Sequence, residues 1–287
     1  LAAIAVVAAD ITFIDIAPGL AAATALDLTH AAGITRSSAS IVGAQSLGAV
    51  EDADIVVVTA GRPRAPGMSR ADLAGVNRRV IDASAEAIRT RAPGAVVIVV
   101  TNPLDEMTTA MLSETGFPRE RVIGMAGTLD SARFRQALAH AAGVSTADVR
   151  ALTLGSHGDE MTPIPSQSTI KGRPLGVFLA EEAIAASVDD AVTGGGQVVA
   201  LKKTGSATFA PAHATMELIY HLCGARAGWV AASVLLAGEY GIDGVVVGVP
   251  CHFGAGGLIE VEELALTPQE LSALRSAADA IRLRTSG

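Results

Sequence analysis

The segment VRALTLGSHGDEMTPIP at 149–165 carries the side chains of this 287-residue chain best suited to chemistry. An apolar run stops at Leu154-Gly155-Ser156, the pattern of a strand breaking into a glycine-flanked loop, and the loop carries His157 with Asp159 and Glu160 just behind it. This puts an imidazole on an exposed turn. Its ordinary pKa is about 6.5, so near neutral pH the group can both take and give a proton. A histidine that merely pins the turn by a hydrogen bond would look the same.

Further polar groups follow the same logic. LDSARFR at 129–135 places Asp130 and Arg133 three residues apart, on one face of a helical turn. A local ion pair accounts for them, and so does a division of tasks: Arg133 grips a substrate carboxylate while Asp130 orients the imidazole of His157 and stabilises its charged form. TAGRPRAPGMSRADL at 59–73 carries Arg62, Arg64 and Arg70 in a Gly/Pro-punctuated loop after a strand. A guanidinium is a planar fork that matches a carboxylate, and a loop of this length suits a lid over a substrate. Asn102 in TNPLD either donates to a substrate oxygen or caps the next helix. Asp15 ends a strand, where it either caps a turn or bonds a ribose 2′-hydroxyl. An acid about 20 residues after G-x-G-x-x-G does the latter, and its charge repels a 2′-phosphate, favouring NAD over NADP.

Short apolar runs position these groups. ITFID at 11–15, IVVVT at 55–59, VVIVVT at 96–101 and VIGM at 122–125 each end in a polar or glycine-containing turn. Unbroken β-branched runs indicate strands buried on both faces, and helix-like segments at 70–91 and 104–115 lie between them. The alternation predicts a doubly wound parallel sheet, with ligands at the carboxyl ends of the strands, where Asp15, Gly61 and Asn102 fall. A domain boundary is expected near residue 126. Beyond it come a strand at 149–154, helices at 179–192 and 212–223, and strands at 229–236 and 245–249. The triple glycine Gly194-Gly195-Gly196 reads as a hinge, a helix interruption or a loop. Thr267-Pro268-Gln269-Glu270 is a capping box that opens a last helix, with Leu271, Leu274, Ala278 and Ile281 on one face.

Composition excludes several classes. Half the residues are apolar, only 17% are charged, and the formal net charge is −8 with no basic run, which disfavours nucleic acid and anionic membranes as partners. Cys223 and Cys251 are the only cysteines and are expected to pack as small apolar residues. The opening LAAIAVVAAD has no basic region and is interrupted by Asp10, so the default location is cytoplasmic. The chain starts without Met, and its first residues read as the inside of a helix. No metal centre is expected, because His157, Asp159 and Glu160 lack H-E-x-x-H spacing.

Taken in order, DI at 15–16, TAGRPRAPGMSRADL, VTNPLD, GMAGTLDSARFR, GSHGDEMTPIP, GSATFAPA at 205–212 and GEYGIDGVVVGVP at 238–250 resemble the lactate/malate dehydrogenase family from about Ile11 to the carboxyl end. The resemblance implies a Rossmann-type NAD domain at 1–126 followed by an α/β catalytic domain at 127–287, working as a homodimer or homotetramer. It gives His157 the role of proton donor and acceptor and Asp130 that of its orienting partner. Arg133 then holds the C1 carboxylate, Arg70 polarises the reacting carbonyl, and Asn102 touches substrate and cofactor. Asp15, Asn77, Val100, Thr101 and Asn102 match NAD contacts. Arg64, six residues before Arg70, stands where lactate-specific members carry an uncharged residue, which points to malate and oxaloacetate and to the lactate-dehydrogenase-like branch of malate dehydrogenases. The departure is the G-x-G-x-x-G loop, which would lie upstream of Leu1. An amino-terminal truncation by about 20 residues is expected. A lactate or other 2-hydroxy acid dehydrogenase, and a non-catalytic remnant of the fold, are the competing readings.

Overall fold

The computed structural model describes residues 10–63, 68, 70–158, 160–203 and 205–285, and of Arg70 the backbone alone. Strands β1 (Asp10–Ile14) and β2 (Ser40–Ala44) pair in parallel and are joined by helix α1 (Leu20–Thr35). A second parallel set follows, in which β3 (Ile55–Val58), β4 (Val96–Val99) and β5 (Val122–Gly124) alternate with α2 (Arg70–Arg91) and α3 (Leu104–Thr115). β4 shows why its sequence is an unbroken apolar run. Val97 and Val99 pack with Ile81, Ile88, Leu104 and Met111, while Val96 and Ile98 belong to the cluster that holds Ile123 and Leu218. Both faces are covered, so alternation would leave a polar group buried.

Helix α4 (Gly127–Ala142) opens the second half, followed by β6 (Val149–Arg150), β7 (Thr153–Gly155), β8 (Met161–Pro163), β9 (Thr169–Ile170) and β10 (Arg173–Pro174). Helices α5 (Glu181–Lys202) and α6 (Phe209–Leu222), strands β11 (Val230–Ala237), β12 (Asp243–Gly254) and β13 (Gly257–Val261), and helix α7 (Pro268–Thr285) complete the chain. One eight-stranded sheet crosses both halves in the order β3-β4-β5-β11-β12-β7-β8, with β13 on β12. The halves meet where antiparallel β11 sets Ser233 opposite Gly124 of β5. Glycine is required at that seam, since a Cβ on residue 124 would lie 2.8 Å from Thr108 Oγ1 and 2.9 Å from the Ser233 Cβ.

The last helix forms as expected. The Thr267 N–H donates to Glu270 Oε2 at 2.9 Å and the Glu270 N–H to Thr267 Oγ1 at 3.2 Å, a closed capping box. Leu274, Ala278 and Ile281 are fully buried on the core, and Leu271 packs at its margin. No helix among the described residues is long and apolar enough to cross a membrane.

Other elements differ from expectation. Gly194-Gly195-Gly196 interrupts nothing: α5 runs unbroken past it, starting at Glu181, where two acids fill the first turn. Each glycine costs a helix about 1 kcal/mol relative to alanine, and packing of α5 against α4 overrides that cost. The expected strand at 149–154 splits into β6 and β7, which belong to different sheets. The first strand sits one residue earlier than read, α6 begins before residue 212, and β12 outruns 245–249 because β11 and β13 flank it with further hydrogen bonds. Cys251 is buried as expected, but Cys223 is exposed, because it caps the carboxyl end of α6. The reading of a helix at the start of the chain falls on residues 1–9, outside the described residues, as do Arg64 and Asp159.

Candidate active site

His157 is not on an open turn. Its side chain is 15% exposed, because the loop leaving β7 folds back between the first turns of α3 and α4. Asp105 of α3 accepts the His157 backbone N–H on Oδ2 at 3.0 Å, and Asp130 of α4 lies with Oδ2 2.8 Å from the imidazole Nδ1. A carboxylate there takes the Nδ1 proton as its hydrogen bond and leaves Nε2 to exchange a proton with a ligand. Asp130 is 2% exposed and stands in the first turn of its helix, where unpaired backbone N–H groups favour an anion. Its Oδ1 accepts from Arg133 at 2.8 Å. One carboxylate thus joins the imidazole and the guanidinium.

The electrostatics follow from these contacts. Burial by itself disfavours the imidazolium of His157. The charge and hydrogen bond of Asp130, together with the charge of Asp105, outweigh that and the opposing Arg133, and the imidazole is held above its ordinary 6.5.

Arg133 also accounts for Gly195 of α5. A Cβ on Gly195 would lie 3.2 Å from one terminal guanidinium nitrogen and 3.3 Å from the other, so the bare helix backbone lets the guanidinium lie flat against it. Gly196 has nothing near its missing Cβ. Gly195→Ala is therefore expected to stabilise the helix by about 1 kcal/mol while lowering kcat/KM roughly 3- to 10-fold, whereas Gly196→Ala brings the stability gain alone. Thermal melts and steady-state kinetics of the pair test this. Equal kcat/KM in both variants would separate Gly195 from the site.

The remaining predicted residues lie at the carboxyl ends of β1, β3 and β4. Asp15 follows β1, half-buried, with Oδ1 accepting the Ala17 N–H at 2.8 Å, so it does cap its turn. Val100 and Thr101 follow β4, and the Thr101 hydroxyl donates to Ala60 O at 2.7 Å, tying that end to β3. Asn102 is exposed, and it does not cap α3, whose N-cap is Pro103. Asn77 is 1% exposed, and its amide nitrogen donates to Asn102 O at 2.7 Å and Arg62 O at 3.2 Å, while Oδ1 accepts the Arg62 N–H at 2.8 Å. With both amide hydrogens spent on backbone, Asn77 braces the two loops. Next to it, a Cβ on Gly61 would lie 2.8 Å from Thr101 Cγ2. The backbone of Arg70 opens α2, and Arg64 lies outside the described residues.

Two residues of this neighbourhood escape a reading of the sequence. Asp105 is fully buried, yet in VTNPLD it looks like any acid in a first helical turn. Arg284, in the last turn of α7, donates to Glu106 Oε1 and Glu160 Oε1, both at 2.9 Å, and to Ser156 Oγ at 3.2 Å. No local spacing links it to residues so far away in the chain.

Residues 1–124 match the description "lactate/malate dehydrogenase, NAD binding domain", and residues 127–284 match "lactate/malate dehydrogenase, alpha/beta C-terminal domain". The chain belongs to the lactate/malate dehydrogenase family. As a lactate/malate dehydrogenase it is 41% identical over 272 residues to a malate dehydrogenase of Roseiflexus sp. (strain RS-1), a match covering 95% of this chain and 88% of that protein. The crystal structure of Cryptosporidium parvum malate dehydrogenase superposes with a TM-score of 0.93 at 36% identity, over 96% of this chain and 90% of that one. The lactate dehydrogenase of the same organism, complexed with lactic acid and nicotinamide adenine dinucleotide, gives 0.92 at 34% identity, over 96% and 89%. The chain is thus an NAD-dependent oxidoreductase whose family includes enzymes named for both acids.

Proposed function

We propose that the chain interconverts malate and oxaloacetate with NAD, using His157 as proton acceptor and donor. The observation that carries this is the linked set His157–Asp130–Arg133, an imidazole and a guanidinium held at 2.8 Å from the two oxygens of one buried carboxylate. A 2-hydroxy acid requires proton transfer beside carboxylate binding, and an imidazole next to a guanidinium supports that reading. Arg64 supports a second carboxylate on the substrate, and the relatives named malate dehydrogenase support the same choice.

For NAD, the residues present fit at two places. Asp15 at the end of β1 offers a carboxylate to a ribose hydroxyl, and Val100, Thr101 and Asn102 follow β4 beside the end of β3, at the strand ends where ligands of such sheets bind. When bound, NAD supplies the hydride acceptor for malate and, once reduced, the hydride donor for oxaloacetate. In malate oxidation neutral His157 takes the hydroxyl proton at Nε2; in reduction its imidazolium gives that proton back. Arg133 holds the C1 carboxylate, Arg70 stabilises charge on the reacting oxygen, and Arg64 pairs with the far carboxylate. Because the imidazole is held above 6.5, malate oxidation should gain rate with rising pH through a midpoint above that value, and oxaloacetate reduction should lose it there. We place the division between the NAD and substrate domains at residue 126, and infer a homodimer or homotetramer in the cytoplasm.

NADH oxidation with oxaloacetate and pyruvate in parallel tests the reading. Preference for oxaloacetate is the expected result. A preference for pyruvate would assign the chain to lactate, and no turnover with either would leave a non-catalytic member of the fold.

A further inference from the structure

Behind the loop that carries His157 lies a second carboxylate. Asp105 is fully buried in the first turn of α3, where the helix end favours an anion. Three donors converge on it: the Ser156 hydroxyl at 2.7 Å and the His157 backbone N–H at 3.0 Å, both on Oδ2, and the Ser233 hydroxyl at 3.3 Å on Oδ1. These donors come from the catalytic loop and from β11, so the side chain meets the loop and the strand at the seam between the halves. A carboxylate with no exposure exacts a desolvation penalty, and an amide of equal size would fill the same space. Burial pushes the Asp105 carboxyl above its ordinary range, and the Ser156 hydroxyl, the charge of His157 and the His157 N–H work against that by favouring the ionised form.

We propose that Asp105 is a positioning residue for the proton step: it seats the His157 loop through the backbone N–H and supplies, with Asp130, the second negative charge facing the imidazole. This rests on the assignment of His157 as the proton acceptor. Among the described residues, the charged groups that face the imidazole are then Asp130 and Arg133 from α4 and Asp105 from α3. Beyond them, Glu106 of α3 and Glu160 of the loop are both held by Arg284 of α7. Asp130 and Asp105 favour the charged imidazole and Arg133 opposes it. Glu106 and Glu160 have their charges offset by the same guanidinium, so they leave the balance to the nearer three.

Asp105→Asn in the full chain keeps size and an acceptor for the backbone N–H while removing the charge. The His157 titration, followed by NMR and assigned with His157→Gln, should move down by about one pH unit. The acid limb of malate oxidation and the alkaline limb of oxaloacetate reduction should follow it in the same direction. A lower rate with both limbs in place would reduce Asp105 to a packing role, and a titration that shifts while the limbs stay put would remove it from the proton step. If Asp105→Asn does not fold, Ser156→Ala strips the carboxylate of a donor that favours its ionised form. The His157 titration should then move down by less, and no movement overturns the proposal. Full turnover in His157→Gln would instead overturn the assignment of His157 itself. The NMR shift needs no activity, so the two failures are distinguishable.

Discussion

Asp130→Asn should lower kcat in both directions by about 10²- to 10⁴-fold, the range set by loss of a positioned acid/base group. The variant keeps shape but loses the anion that sits 2.8 Å from both His157 Nδ1 and Arg133. Three effects combine. The imidazole is no longer fixed in the form that presents a bare Nε2 to malate; the imidazolium loses its counter-charge; and Arg133 loses the partner that holds it along α5. The sign of the pH effect is set by the same contacts. Burial lowers the proton affinity of His157 and Asp130 is the larger of the forces opposing it, so the residual malate-oxidation profile should shift to lower pH. Steady-state kinetics of Asp130→Asn, His157→Gln and the double variant provide the check. Residues acting as one unit are not additive, so the double variant should be no worse than the poorer single. Activity of Asp130→Asn within a few-fold of the parent would dissolve the unit.

Arg64→Gln should change the ratio of kcat/KM for oxaloacetate over pyruvate by about 10- to 150-fold towards pyruvate. A hydrogen bond to a charged group contributes about 1.5 to 3 kcal/mol, and each 1.4 kcal/mol is about tenfold. The chain carries a formal charge of −8, so a dianionic substrate enters against the overall field and depends on local cations. Losing Arg64 strands one carboxylate of oxaloacetate and costs pyruvate nothing. The ratio isolates this from a general loss of activity, and an unchanged ratio would remove Arg64 from substrate selection.

Much of this site is legible in the order of residues. His157, Asp130, Arg133 and the strand-end positions Asp15 and Asn102 announce themselves because each is a polar group at the end of an apolar run or on one face of a short helical turn. What escapes is whatever depends on distance across the fold. The burial of His157 escapes too, because it comes from α3 and α4 closing over the loop, and a glycine-flanked turn looks open in isolation. Gly194-Gly195-Gly196 reads as a break because glycine is a poor helix former, yet at Gly195 the absence of a side chain makes room for a guanidinium from another helix. Asp105 and Arg284 look ordinary, and only their contacts across the fold show how much they hold. The sheet was legible as alternating strands and helices, but its continuation through β11 and β12 was not, because antiparallel strands so far along the chain leave no local sign of their neighbours.

That continuation bears on how freely the two halves of this chain could be recombined with those of its relatives. They are not interchangeable modules. The nucleotide half ends on a strand whose last residue must be glycine, and the substrate half answers with a serine set against it and hydrogen-bonded to Asp105. A graft from another member would have to reproduce that seam, because a slip of one residue in a strand pair turns every side chain to the opposite face. The sheet therefore acts as a ruler between two chemistries, and inheritance must carry both ends of it together.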